Sequence, residues 1–166
     1  MLIVKYLLIA LLLLVALMVV AVTAGQLGLL AGKPPDDLGL RNGQLKAPSR
    51  TNNSVSSQAA LHGDHPMRSK AEIAALPMTG DVQATMTRLQ TVVAGMPGAR
   101  IVKSEPAYMR AEFTTRWMKY TDDVEFAVDE VGRVVHVRSA SRLGQEDFNA
   151  NRARVEAIRA KLADAR

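Results

Sequence analysis

The densest run of polar chemistry in the chain is Arg138-Ser139-Ala140-Ser141-Arg142-Leu143-Gly144, followed by Asp147-Phe148 and Asn151-Arg152-Ala153-Arg154. Guanidinium groups at this spacing can fork onto carboxylates, and Asp122-Asp123-Val124-Glu125 supplies carboxylates for them. Asp147 suits a helix N-cap, Gly144 a tight turn, and Arg142 or Arg152 a pairing with Asp122 and Asp123. Arginines near a helix N-terminus also suit an anionic ligand. His136 adds a group able to act as acid or base near neutral pH. The candidate cluster is therefore Asp122, Asp123, Glu125, His136, Arg138, Ser139, Ser141, Arg142, Asn151 and Arg152, either a structural clamp or a ligand site.

Regular elements must bring these residues together. Val82, Met86, Leu89, Val93 and Met96 recur at spacings of four, three, four and three, one apolar stripe on a helix that Pro97-Gly98 stops. Residues 108–115, 122–128 and 133–140 alternate apolar and polar side chains as strands do, and 99–104 is a weaker fourth strand. A last helix spans about 147–162, with Phe148, Val155, Ile158 and Leu162 buried and Arg154, Arg159 and Lys161 facing water. This order contains no strand–helix–strand alternation, which disfavours a parallel sheet. It predicts an α+β fold, a two-layer domain with an antiparallel meander of three or four strands flanked by helices.

Asp129-Glu130-Val131-Gly132 reads as a hairpin connection in which Gly132 takes a positive φ. Placing Val128 opposite Arg133 sets Asp123 against Arg138 and Glu125 against His136 on one face, leaving Val124, Phe126, Val135 and Val137 on the other. With Arg110 and Glu112 these residues form a polar surface, read as cross-strand ion pairs on a solvated face. The alternative is a polar cleft, and its enzymatic version is a hydrolase using His136 with Asp123 or Glu125.

Other chemistries lack a pattern. His62-Gly63-Asp64-His65 offers three donors without a fourth, the serines have no G-x-S-x-G or S-x-x-K setting, and there is no phosphate-binding glycine loop. No metal, cofactor or catalytic set is expected. The formal net charge is +5, yet residues 78–166 hold fourteen Lys and Arg against twelve Asp and Glu, a dispersed excess that argues against a nucleic-acid footprint. Three Phe, three Tyr and one Trp are too few for base stacking. The absence of cysteine excludes a disulfide framework.

Residues 6–24 run for nineteen positions without a charge, long enough as a helix to span a bilayer core of about 30 Å. Residues 1–31 are read as a membrane anchor. Val22-Thr23-Ala24 before Gly25 resembles a signal-peptide cleavage site, but the apolar stretch is long for a cleaved segment and resumes at Leu27, Leu29 and Leu30. A short head carrying Lys5 favours a signal anchor whose downstream domain is translocated. Residues 32–77, rich in Pro, Ser and Asn, read as a linker or wrapped segment, and 78–166 as the domain proper.

Three stretches together resemble the domain of unknown function 1499 family: Pro48–Gln58 (PSRTNNSVSSQ), Asp122-Asp123-Val124-Glu125-Phe126, and Val137–Arg142 with Gly144, Asp147-Phe148 and Asn151-Arg152. The likeness runs from about Gly39 to the C-terminus. Ser54 stands where many members carry cysteine, so a thiol role is absent, and Asn149 stands where glycine is usual. The resemblance implies a helix–sheet–helix domain, often behind a bacterial membrane anchor, and no established reaction. It also implies that the motif residues Asn53, Ser54, Ser56 and Ser57 lie ordered against the domain. The resulting expectation is a single-pass protein of a bacterial inner membrane with a periplasmic domain. Its partners would be the membrane and an envelope protein, lipid or small polar ligand, and not nucleic acid.

Overall fold

The computed structural model describes residues 2–164. Helix α1 (Leu2–Gln26) is long and apolar enough to cross a membrane, a property it shares with signal sequences. Its last turn rests on the following domain. Gly25 is buried, and a Cβ there would lie 2.5 Å from the carbonyl oxygen of Met118, so only glycine permits this approach. The Gln26 amide donates to the carbonyls of Trp117 at 2.8 Å and Arg116 at 3.3 Å.

The domain is α+β, with one six-stranded sheet: β1 (Ser54–Ser56), β2 (Leu76–Pro77), β3 (Ala99–Glu105), β4 (Tyr108–Thr114), β5 (Thr121–Asp129) and β6 (Val134–Ser141). All named pairings are antiparallel, in the order β1-β6-β5-β4-β3, and β2 shares the outer edge of β6 with β1. A 3-10 turn (Ala59–Leu61) and the short α2 (Arg68–Ala71) link these two edge pieces. The count exceeds the three or four expected because β1 and β2 lie within residues 32–77. They are too short and too rich in Ser and Pro to show alternation, and the open edge of β6 determines their conformation.

Helices α3 (Val82–Ala94) and α4 (Ala150–Asp164) cover one face. Asp81 caps α3 by accepting from the Ala84 N–H at 2.7 Å, and the stripe Met86, Leu89 and Val93 is buried as its spacing requires. These residues pack with Met109, Ala111, Phe113, Val124, Phe126, Val135 and Val137 of the sheet and Val155 and Ile158 of α4. Helix α4 begins at Ala150, three residues later than expected. Phe148 is not part of its apolar side but 89 % exposed, held with Asn149 at positive φ (52° and 67°).

The β5–β6 register is displaced by two residues from the sequence estimate: Asp123 opposes Ala140, Glu125 opposes Arg138, and Ala127 opposes His136. A shift of two preserves the faces while changing every pair. Its cause is a turn of the same four-residue length placed one position later, at 130–133 with Asp129 opposite Val134, in which Arg133, not Gly132, takes the positive φ (55°).

The polar face is buried, contrary to the expectation of a solvated one. Residues 33–53 cross it as a strap, and Leu45 packs with Tyr108 and Ala127 beneath it. Backbone groups of the strap satisfy the polar side chains below: Gly39 N–H donates to Glu125 Oε1 at 2.7 Å, and the Ala47 carbonyl accepts from Arg138 Nε at 3.2 Å. Leu45 N–H donates to Gln58 at 2.8 Å, and Ser49 N–H to Ser54 Oγ at 2.8 Å.

Candidate functional site

The candidate cluster divides between the two faces of the sheet, because side chains alternate along a strand. On the helix side, Asn151 is fully buried and joins four elements. Its amide nitrogen lies within bonding distance of the Asn53 carbonyl (3.0 Å), Ser141 Oγ (3.0 Å) and Asp147 Oδ2 (2.7 Å). Its oxygen accepts from Ser139 Oγ at 2.5 Å and Arg154 Nη1 at 2.6 Å. Arg154 also pairs with Asp122 at 2.5 Å and lies over the Phe113 ring at 4.8 Å. Sequence reasoning placed Arg154 in water. Its spacing of three from Asn151 was the signal that both share one helix face.

Asp147 performs the capping role, accepting from the backbone N–H groups of Asn149 and Asn151 at 3.1 and 2.9 Å. Arg152, expected to pair with Asp122 or Asp123, instead donates to the carbonyls of Lys70 and Glu72 at 2.8 and 2.9 Å.

On the strap side, Glu112 and Asp123 are direct cross-strand neighbours, a repulsive arrangement that Arg142 resolves. Its guanidinium forks onto Asp123 with two bonds of 2.8 Å and reaches Glu112 at 2.6 Å. These bonds, Asp123's first, hold the Arg142 pKa above its ordinary value against the opposing effect of burial. Burial alone would raise the Glu112 pKa, but hydrogen bonds from Arg142 and Arg100 outweigh it and hold the carboxyl below its ordinary value. A carboxyl with a depressed folded-state pKa stabilises the fold at neutral pH and loses that contribution as pH falls through the lowered value. Glu112→Gln should therefore flatten the decline in melting temperature as pH drops below about 5. Parallel declines in variant and wild type would remove Glu112 from acid unfolding.

Beside this clamp, Glu125 and Arg138 are buried opposite each other. Glu125 Oε1 accepts from Gly39 N–H and, at 2.8 Å, from the Tyr108 hydroxyl. Burial first, then the charge and hydrogen bond of Glu125, push the Tyr108 phenol well above its ordinary pKa, so it remains a neutral donor. Arg138 is only 3 % exposed, and burial pulls its pKa below the ordinary value against the fields of Glu125 and Asp123. Its Nη1 stands 3.5 Å from Glu125 Oε2, yet neither atom makes a hydrogen bond, and Nε is the one Arg138 nitrogen with an acceptor among the described residues.

Arg138 lines an open cleft of about 450 Å³ between strap and sheet, with Ser49, Arg50 and Thr51 on one wall and Asp123 and Arg142 on the other. Lys46 also lines it and is bound to Asp37 at 2.5 Å. That bond holds the Asp37 carboxyl below its ordinary pKa. The contributions of Lys46 and Arg50 were not legible in the sequence, because the strap brings them in without any periodic signal, whereas strand alternation already sets Tyr108 on the polar face of β4.

His136 meets neither Asp123 nor Glu125. Its Nδ1 lies 3.2 Å from Ser57 Oγ, and its Nε2 is 3.7 Å from Asp129 Oδ2. Ser57 occupies the gap between β1 and β2 on the β6 edge. Its N–H donates to the Val137 carbonyl, and its hydroxyl oxygen accepts from Val137 N–H, both at 2.9 Å. The hydroxyl thus completes a strand ladder, which accounts for the Ser–His contact without catalysis. Ser54 and Ser56 have equivalent local roles, Ser56 Oγ accepting from Gln58 N–H at 3.1 Å. Asn53 ties the strap to the loop before α4, donating to the Gly144 carbonyl at 2.7 Å. Among the described residues, no group of three or more His, Cys, Asp or Glu side chains converges to hold a metal ion.

Comparison with curated proteins returns no match. Residues 44–162, more than half of the chain, match the model of the family described as protein of unknown function, DUF1499, and the chain belongs to that family.

Proposed function

We propose that the protein is a membrane-anchored binding module whose strap–sheet cleft receives a small anionic group, phosphate or carboxylate. Arg138 carries this reading. It is a buried guanidinium that lines an open cleft: its charge faces Glu125 at 3.5 Å, yet neither Nη1 nor Nη2 makes a hydrogen bond among the described residues, and a buried donor group left incomplete beside a cleft favours a ligand that completes it. The exposed Arg50 at the rim supplies a further cation able to contact a ligand without holding the fold together. The apolar α1 supports an anchor, and the short Lys5-bearing head supports a domain on the periplasmic side of a bacterial inner membrane. The hydrolase alternative loses its motivation, since His136 is separated from both proposed carboxylates.

Titration of the full chain in detergent with inorganic phosphate, and separately with citrate, tests the cleft against chloride at equal ionic strength. A specific anion at about 100 times its Kd adds about 2.7 kcal/mol of apparent stability. Arg50→Gln should weaken this effect while leaving the melting temperature without ligand unchanged. If neither anion raises the melting temperature beyond chloride, or if Arg50→Gln responds as wild type does, the anion cleft is wrong.

A further inference from the structure

We propose that the end of the domain from which α1 emerges is a docking surface for the headgroup layer of an anionic phospholipid bilayer. The inference rests on α1 remaining in the membrane and is independent of the strap–sheet cleft. Gln26 closes α1 and bonds the carbonyls of Arg116 and Trp117, so the loop between β4 and β5 is fixed at the depth where the apolar helix ends. The loop is itself closed by Thr115 N–H to the Tyr120 carbonyl at 2.9 Å and Tyr120 N–H to Thr115 Oγ1 at 3.0 Å.

The chemistry presented at that depth suits lipid. Trp117 is 62 % exposed, and Leu27 and Leu29 just beyond α1 are more exposed still. Such an apolar patch is unfavourable in water and ordinary at a bilayer interface, where the amphipathic indole ring is enriched. The Arg116 guanidinium lies 4.9 Å from the Trp117 ring centre. Neither Arg116 nor Lys119 has a carboxylate partner among the described residues. Both line a cleft of about 730 Å³ with the apolar Met96, Pro97 and Phe113, and Arg154, which also lines it, is already paired with Asp122. Two uncompensated cations over an apolar trough fit a lipid phosphate with the start of its acyl chains. Phe148, 89 % exposed at a positive φ, stands two residues before the cleft-lining Ala150.

Trp117 is the chain's one tryptophan, so its fluorescence reports this surface directly. The full chain is to be reconstituted into phosphatidylcholine vesicles with and without phosphatidylglycerol, using lipids brominated near the headgroup end of the acyl chain. The expected result is blue-shifted emission, protection from acrylamide, and bromine quenching that phosphatidylglycerol increases. The Arg116→Gln/Lys119→Gln double variant should lose that increase while still floating with the vesicles. Floated protein whose Trp117 stays open to acrylamide would overturn the docking surface alone. Quenching indifferent to phosphatidylglycerol, or unchanged in the double variant, would overturn the anionic headgroup. Protein that does not float would overturn the anchor and, with it, this surface.

Discussion

Arg142→Ala is expected to cost about 3–5 kcal/mol, a third or more of the stability of a domain in the middle of the ordinary range of about 5–15 kcal/mol and nearly all of it at the lower end. The reason is what remains after truncation. Asp123 is 1 % exposed and receives both of its Arg142 bonds in a fork, while Glu112 faces it directly across β4 and β5. Without the guanidinium, two carboxylates repel each other in a site where water is largely excluded. Arg142→Lys should recover only part of the loss, because an ammonium group cannot make two parallel bonds to Asp123 while also reaching Glu112. Arg100 is the control: it also touches Glu112, at 2.6 Å, but its side chain is 73 % exposed, so Arg100→Ala should cost less than about 1 kcal/mol. Urea unfolding of the full chain in detergent measures all three. Similar losses for Arg142→Ala and Arg100→Ala would show that the clamp contributes no more than a surface pair.

Face assignment was legible in the sequence, while burial of the polar face was not. Period-two alternation puts Glu112, Asp123, Glu125 and Arg138 on one side of the sheet whatever the exact register, which is why a two-residue error left that group intact. Alternation does not say what covers a face. The strap is held by backbone groups at Gly39 and Ala47 and by one apolar plug, Leu45, and none of these produces a periodic pattern. The same limit explains the edge of β6, where β1, Ser57 and β2 are recruited in succession by the unpaired groups of a strand distant in sequence. On α4 the apolar spacing located Val155, Ile158 and Leu162 correctly, but extending it back to Phe148 failed because the chain leaves helical geometry at two consecutive positive-φ residues. Arg159 was likewise read as facing water, yet it donates to the carbonyls of Ala74 and Ala75 at 2.7 and 2.6 Å, closing the segment that leads into β2. Long cationic side chains can follow a helix surface to a distant backbone acceptor, so position on a helical wheel alone does not decide their environment.

The second large effect is expected from a nearly isosteric change, Asn151→Asp. The Asn151 amide nitrogen serves the Asn53 carbonyl, Ser141 Oγ and the Asp147 carboxylate, whereas its oxygen accepts from Ser139 and Arg154. An aspartate would keep the accepting side and even strengthen the contact to Arg154, but that guanidinium is already bound to Asp122. On the other side, two donated hydrogen bonds disappear, and a second carboxylate lies against Asp147 where the wild-type contact is 2.7 Å. The lost donors and the like-charge contact outweigh the gain at Arg154, giving a net loss of about 3 kcal/mol at neutral pH. Burial and the Asp147 charge would raise the folded-state pKa of the introduced carboxyl above the unfolded value of about 3.9. Its ionisation therefore penalises the folded state as pH rises through the window between those two values, and the penalty is relieved on acidification. The stability gap between wild type and Asn151→Asp should accordingly narrow as pH is lowered from 7 toward about 4, measured by paired urea unfolding curves. A gap that stays constant, or widens, would mean that burial and the Asp147 charge do not penalise the introduced carboxylate, and a gap near zero at neutral pH would mean that the donated bonds of Asn151 do not hold β1, β6 and α4 together.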